Sequence, residues 1–146
     1  MHEIPLWASS DFVAPLPRGP GDDIPTDPIF DIEVERLADQ PVVAHVFGAV
    51  DLLTAQELRV CVDHNLDAER GLVVDLTCVG FLAAAGLTVL ADAGERASRD
   101  NRTWAVVASS RPVLRPLEVL GLVDRLPTYD TVPGAVAAVR AAAVPG

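Results

Sequence analysis

The sequence predicts an α/β fold, in which a mixed sheet of four to five strands packs with about four helices in one domain. A chain of 146 residues has room for one domain with a real core but not for two of ordinary size. Half of the residues are hydrophobic and only 5% are aromatic, which favours a core of Val, Leu and Ala. Segments in which apolar residues recur every second position predict strands, those in which they recur every three to four positions predict helices, and the order is ββαβαβαβα. The connections between the later strands are long enough for those strands to be parallel.

The N-terminal segment differs in composition from the rest. Residues 1–28 combine recurring prolines and glycines with acidic side chains and few apolar ones. Proline removes backbone donors, and such a segment buries too little apolar surface to fold alone. We therefore expect a flexible acidic tail over 1–28 and a folded domain over 29–146. Trp7 and Phe12 are the aromatic residues with which the tail could contact the domain or a partner.

Two strands open the predicted domain. From Phe30 to Glu35 apolar and acidic residues alternate with period two, which is typical of a half-buried strand. A second apolar stretch runs from Pro41 to Gly48, and the link Ala38–Gln40 between them is short. The pair is therefore predicted to be a hairpin.

A first helix should follow the hairpin. Asp51 or Thr54 can cap its start, because both side chains can accept a hydrogen bond from a free amide of the first turn. Apolar residues then recur at helical spacing and predict the buried face. They are Leu58, Cys61, Val62 and Leu66.

The central strand and the helix after it carry the most informative part of the sequence. From Gly71 to Val79 the chain is apolar apart from Asp75 and Thr77, as in a strand covered on both faces. The stretch from about Ala85 to Arg99 has small and apolar residues at helical spacing. The junction between them reads Leu-Ala-Ala-Ala and carries no functional polar group.

The last third of the chain predicts two strands and two helices. Thr103–Ser109 and Leu126–Tyr129 have strand composition, and the final Ala-rich and Val-rich helix should run from Thr131 to about Ala143. A third helix should begin at Ser109 or Ser110 and end at Gly121. Proline in a helix interior costs about 3 kcal/mol, so Pro116 predicts either a later start near Arg115 or a bend.

Charge and composition exclude several functions. The net charge of −10 disfavours nucleic acid and anionic membrane surfaces, which would repel the chain. Neither a bilayer-length apolar run nor a signal-peptide pattern is present, so we expect a cytoplasmic protein without membrane insertion. His and Cys have no metal-ligand spacing, and no phosphate loop or nucleophile elbow occurs. We expect a protein that is not an enzyme and has no metal or cofactor.

Three segments together resemble the STAS domain family, in particular bacterial anti-sigma-factor antagonists. They are Gly48–Leu58, Val73–Leu87 and Arg111–Val136, and the resemblance spans about Ile29 to Ala143. It implies a STAS-like fold and a regulatory protein-binding module. The implied partner is an anti-sigma factor with a serine-kinase-like fold, whose release of a sigma factor regulates transcription, including stress responses.

The resemblance also implies the position of the binding site. In relatives, a serine near the start of the second helix is phosphorylated and this releases the partner, and the corresponding position here is Ala84. Because alanine has no hydroxyl, control by phosphorylation is not expected at this position. The predicted partner-binding residues are Asp51, Leu82, Ala83, Ala84, Ala85, Gly86 and Leu87.

Three alternatives stay open at this point. Asp51 can serve as a helix cap, as a partner contact, or as both. Cys61 and Cys78 can provide redox control in place of the serine, although cysteines of a reducing compartment are usually core residues. The chain can also be a STAS scaffold or subunit of a stress-signalling or transporter assembly.

Overall fold

The computed structural model describes residues 29–143, and the elements below all belong to that range. The predicted tail, residues 1–28, lies outside the described residues, as do residues 144–146. None of the helices in the described range combines the length and apolar content that crossing a bilayer would need.

The described chain forms one five-stranded sheet and five helices. The strands are β1 (Asp31–Glu35), β2 (Val42–Val50), β3 (Leu72–Leu82), β4 (Trp104–Val107) and β5 (Thr128–Tyr129). The helices are α1 (Thr54–Asn65), α2 (Ala84–Arg99), α3 (Arg111–Val119), α4 (Leu122–Arg125) and α5 (Val132–Ala143). The strands lie in chain order across the sheet, with β1 antiparallel to β2 and all other neighbours parallel. The predicted fold class is confirmed, and the single-turn helix α4 is the element that the sequence did not predict.

Helices cover the two faces of the sheet unequally. The larger core fills the space between one face and α1 to α4, and Leu58, Leu90 and Leu117 contribute fully buried side chains to it. The smaller core lies on the other face, where Ala135 and Val139 of α5 pack on the sheet. Because α5 reaches only part of this second face, polar side chains of β1, β2 and β3 remain outside its cover.

The strand β3 is the centre of the fold, as its apolar sequence predicted. From Leu72 to Leu76 its apolar side chains are fully buried, and both neighbouring strands pair with it in parallel. Asp75 is the exception, since it is an acidic residue with only 8% exposure. A buried carboxylate needs compensating donors, and the amide and hydroxyl of Thr77 provide two for Asp75.

The third helix begins where one of the two predicted caps placed it. Ser110 is its N-cap and Arg111 its first residue, so the alternative start near Arg115 is excluded and Pro116 lies inside the helix. A proline nitrogen carries no hydrogen and leaves the carbonyl four residues earlier without its helical partner. The helix ends after only nine residues, and Gly121, with φ of +71°, turns the chain into α4.

Candidate partner-binding face

The segments that hold the predicted site residues meet at the carboxyl ends of β2 and β3. Val50 is paired with Leu82 in the parallel register. One residue further on, the amide of Ala83 donates to the carbonyl oxygen of Val50 at 2.8 Å. The segments that follow the two strands, called the two exits below, therefore begin side by side. One begins with Asp51 and the other with Ala83. The two segments of the predicted site are therefore neighbours, and their role in binding a partner stays a prediction.

Asp51 is fixed by the start of α1. Its Oδ1 accepts hydrogen bonds from the amides of Leu53 at 3.0 Å and Thr54 at 2.9 Å. In return the Asp51 amide donates to Thr54 Oγ1 at 2.8 Å. The Thr54 amide is the main cause that holds the pKa of Asp51 below its usual value, with added help from the Thr54 hydroxyl and the Leu53 amide. Asp51 thus serves the helix start and still presents an exposed carboxylate to solvent.

The alanine turn begins α2 without a side-chain cap. Ala83 is the last extended residue, with ψ of 170°, and no side chain caps the helix there. Its carbonyl oxygen instead accepts hydrogen bonds from the amides of Gly86 at 2.9 Å and Leu87 at 3.1 Å. Ala84 is exposed in the first helical turn, while Ala83 and Ala85 are half-buried. This position lies at the positive end of the helix dipole, where a negative charge is tolerated.

The other predicted residues of the turn lie in the core. Leu82 is 4% exposed and Leu87 is 7% exposed. Gly86 is buried so tightly that a Cβ built on it would lie 2.7 Å from Leu82 Cδ1 and 2.7 Å from Val50 Cγ1. These three residues can position the turn, but a partner could reach only the alanines.

Three exposed apolar residues lie in the segments around the two exits and were missed by sequence reasoning. Leu52 and Leu53, between Asp51 and the helix, are 71% and 73% exposed, and Phe81, next to the end of β3, is 53% exposed. Exposed large apolar side chains near one another are typical of interaction sites. We use the term carboxyl-edge face for Asp51, Leu52, Leu53, Phe81, Ala83, Ala84 and Ala85.

A sequence signal for these apolar residues does exist. Leu52 and Leu53 precede the helical stripe that begins with Leu58, so neither is required by the core of α1. Phe81 adjoins the buried Leu82, and successive strand residues point to opposite faces. A search for apolar residues that do not fit the buried positions of the predicted helix and strand would have found all three.

The chemistry of this face is that of a binding surface. Its one polar side chain is the carboxylate of Asp51, which hydrogen bonds to the Leu53 and Thr54 amides engage at the start of α1, and its other members are apolar. Within residues 29–143 no group of three metal-binding side chains is placed to hold an ion. The arrangement can bury apolar surface against a partner and can pair one carboxylate with a donor.

The two cysteines are both free thiols. Cys61 is half-buried beside the larger core, and burial raises the pKa of its thiol above the usual value. Cys78 is exposed on β3. Redox control by these residues stays a prediction.

A profile of the STAS domain matches residues 31–135, which is most of the chain and all of the sheet. This chain belongs to the STAS domain family. The match covers both exits that form the carboxyl-edge face.

The relatives include proteins with a named regulatory role. The chain is 31% identical over 99 residues to the anti-sigma-F factor antagonist RsfB of Mycobacterium tuberculosis, an alignment that covers 67% of this chain and 80% of that protein. It is 32% identical to an anti-sigma factor antagonist from Mycobacterium paratuberculosis, with a TM-score of 0.68 over 77% of this chain and 95% of that structure. SpoIIAA in its unphosphorylated form, at 16% identity, has the same fold, with a TM-score of 0.61 over 76% of this chain and 97% of that one. The chain is therefore a STAS protein similar to anti-sigma-factor antagonists.

Proposed function

We propose that this protein is an anti-sigma-factor antagonist that binds an anti-sigma factor through the carboxyl-edge face. The observation that carries the proposal is that Ala84, Leu52, Leu53 and Phe81 are all exposed, on chain segments that adjoin the paired ends of β2 and β3. Apolar side chains that are exposed around one carboxylate form the type of patch that a protein partner buries. The relatives that are about one third identical are named as antagonists of anti-sigma factors, which supports this class of partner.

The second part of the proposal concerns regulation. The helix start at Ala84 offers the amides and the dipole that would stabilise a phosphate, but alanine provides no oxygen to accept one. The hydroxyl one turn later, on the exposed Thr88, donates to the carbonyl oxygen of Ala84 at 3.2 Å, so it lies within the helix and not at its start. Binding at this face is therefore not switched off by phosphorylation of the turn.

Replacing Ala84 with aspartate is expected to reduce affinity for the anti-sigma factor by about tenfold or more, because a charge that is buried without a partner at an interface is costly. The fold should tolerate the change, since an acidic residue is favourable in the first turn of a helix. The matched control is Ala137→Asp, which places the same charge on exposed α5 at the other face of the sheet.

The measurement uses the full chain as bait in native cell lysate, followed by titration of the purified partner by calorimetry. We expect an anti-sigma factor to be retained by the wild type and by Ala137→Asp, with greatly reduced retention by Ala84→Asp. Recovery of transporter or scaffold subunits instead would overturn the antagonist function. Equal affinity of all three proteins for a verified anti-sigma factor would remove this turn from the interface.

Replacing Ala84 with serine is expected to create a phosphorylation site if the partner is a serine kinase. Incubation of the variant with the purified anti-sigma factor and ATP should add one phosphate and release the complex, whereas the wild type should take up none at this turn. Ala85→Ser serves as the control, because it adds the same hydroxyl at a half-buried neighbouring position. An Ala84→Ser variant that binds an active kinase and yet stays unmodified would contradict this account of the lost regulation.

A further inference from the structure

A histidine joins three strands on the face of the sheet that α5 leaves partly uncovered. His45 of β2 contacts Asp75 of β3 through Nδ1, at 2.7 Å from Oδ2. Through Nε2 it contacts Glu35 of β1, at 3.0 Å from Oε1. The imidazole is largely shielded, with 27% of its side chain exposed, and the Asp75 side chain is 10% exposed. Both ring nitrogens are thus engaged by carboxylate oxygens from two different strands.

The Asp75 carboxylate is itself fixed in place. Its other oxygen, Oδ1, accepts a hydrogen bond from the Thr77 amide at 3.0 Å and another from the Thr77 hydroxyl. Both contacts of Oδ1 are with donors of Thr77, which leaves Oδ2 for the His45 ring. Oδ2 of Asp75 can therefore accept a hydrogen bond from an N–H group at Nδ1 of His45.

The number of N–H groups on the imidazole ring decides how many carboxylates it can donate to. Neutral imidazole has one N–H donor and one lone pair, whereas imidazolium has two N–H donors. In the neutral state one carboxylate would face a nitrogen lone pair at hydrogen-bond distance. Only the protonated ring can donate to Glu35 and Asp75 at the same time.

The surroundings of the ring are acidic on the strand side and apolar on the helix side. Glu33 stands opposite His45 in the β1 register, and the ion pairs of Glu35 and Asp75 within residues 29–143 are with His45 alone. Further along the sheet, Val107 of β4 is paired with Asp75, and Tyr129 of β5 is paired with Val107. The α5 side chains that pack on this side of the sheet are apolar: Val132, Ala135, Val136 and Val139.

We propose that His45 is a pH-sensitive latch that fastens the edge strand β1 to the central strand β3 across β2. When the ring is protonated, Glu35 and Asp75 both receive a charge-assisted hydrogen bond. When the proton leaves, one of these bonds is lost and a lone pair opposes the released carboxylate. Because β1 has a single neighbour among the strands of residues 29–143, loss of this hydrogen bond loosens the strand and exposes the backbone edge of β2.

The direction of the pH dependence follows from the pKa of His45. Burial is the largest single effect and on its own would lower that pKa, but hydrogen bonds and charge from Glu35 and Asp75 together outweigh it and raise the pKa above 6.5. A raised pKa in the folded state means that the latch stabilises β1 fully below about pH 6.5. This contribution disappears as the pH rises through the pKa of the folded protein.

The test combines two NMR measurements on the full chain. The ring protons of His45 are titrated, and hydrogen exchange of the β1 amides is followed with pH after correction for the intrinsic exchange rate. We expect His45 to titrate above 6.5, and we expect β1 protection relative to β3 to fall about tenfold for each unit by which the folded pKa exceeds the unfolded one. In His45→Gln this fall should be absent, whereas the control His64→Gln, at an exposed position of α1, should retain it.

Two results would overturn the latch. One is a His45 ring that titrates at or below 6.5 in the wild type, a measurement that needs no variant. The other is β1 protection that falls equally with pH in the wild type and in His45→Gln. If His45→Gln does not fold, Glu35→Gln replaces it, since removing this charge should lower the titration point of His45 and flatten the β1 response; an unchanged titration curve would reject the proposal.

Discussion

Replacing Leu90 with alanine is expected to lower the free energy of unfolding by about 2–5 kcal/mol. Leu90 is fully buried on the inner face of α2 and belongs to the larger core. Its truncation removes transfer free energy and leaves a cavity that the strands and α1 can only partly fill. Since domains of this size are stable by roughly 5–15 kcal/mol, this loss should be visible as a large fall of the midpoint in urea denaturation.

The matched control for this variant is Leu53→Ala. It makes the same chemical change at a side chain that is 73% exposed, so stability should change by no more than about 0.5 kcal/mol. Leu53→Ala should instead weaken binding to the proposed partner, because Leu53 belongs to the carboxyl-edge face. Equal destabilisation by the two variants would contradict the assignment of Leu90 to the core and of Leu53 to the surface.

Replacing Gly86 with valine is expected to cost about 1–3 kcal/mol of stability through overpacking. A Cβ at this position would lie 2.7 Å from Leu82 Cδ1 and 2.7 Å from Val50 Cγ1. Leu82 can move its methyl group, but Val50 is fully buried and β-branched, so its rotamer is restricted. The start of α2 must then move away from β2, which would also displace the Ala84 turn.

A control for Gly86→Val lies a few residues earlier in the chain. In the part of the chain that the structure describes, Gly80 has no heavy atom within 4 Å of the position where its Cβ would be, so Gly80→Val should fold without a packing penalty. The comparison is made by thermal denaturation and by affinity for the partner. A Gly86→Val protein as stable as the wild type would mean that α2 does not begin in close contact with β2.

Periodicity predicted the order of most elements and the α/β class, and the family resemblance added the STAS-like fold. Alternation from Phe30, the apolar run after Gly71 and the helical stripe around Leu58 each predicted an element that the structure contains. Prediction of α4 failed because a helix of four residues is too short for any period to show. The start of α4 depends on the left-handed backbone conformation of Gly121. In the sequence, Gly121 was interpreted only as the end of α3.

The sequence indicated which segments form the candidate site, but it did not show which of their side chains are exposed. The family resemblance indicated both Asp51 and the alanine turn, and the parallel pairing of Val50 with Leu82 explains why they are neighbours. Sequence alone did not separate the exposed Ala84 from the buried Gly86, because neighbours in a first helical turn can face opposite directions. The contacts of His45 join residues 30 and 10 positions apart, and only the strand register brings them together.

The order of the strands has a consequence for how the chain acquires its structure. Each strand pairs with the one that precedes it in sequence, so no strand has to wait for a distant segment to be made. Loop-closure entropy grows with the length of the loop, and here each parallel connection contains one helix or, between β4 and β5, the two short helices α3 and α4. During synthesis the sheet can therefore extend one strand at a time, in the order in which residues leave the ribosome. Only the face that α5 covers must await the end of translation of that helix, so the apolar side chains of Val73 and Val107 are the last of the core to be shielded from water.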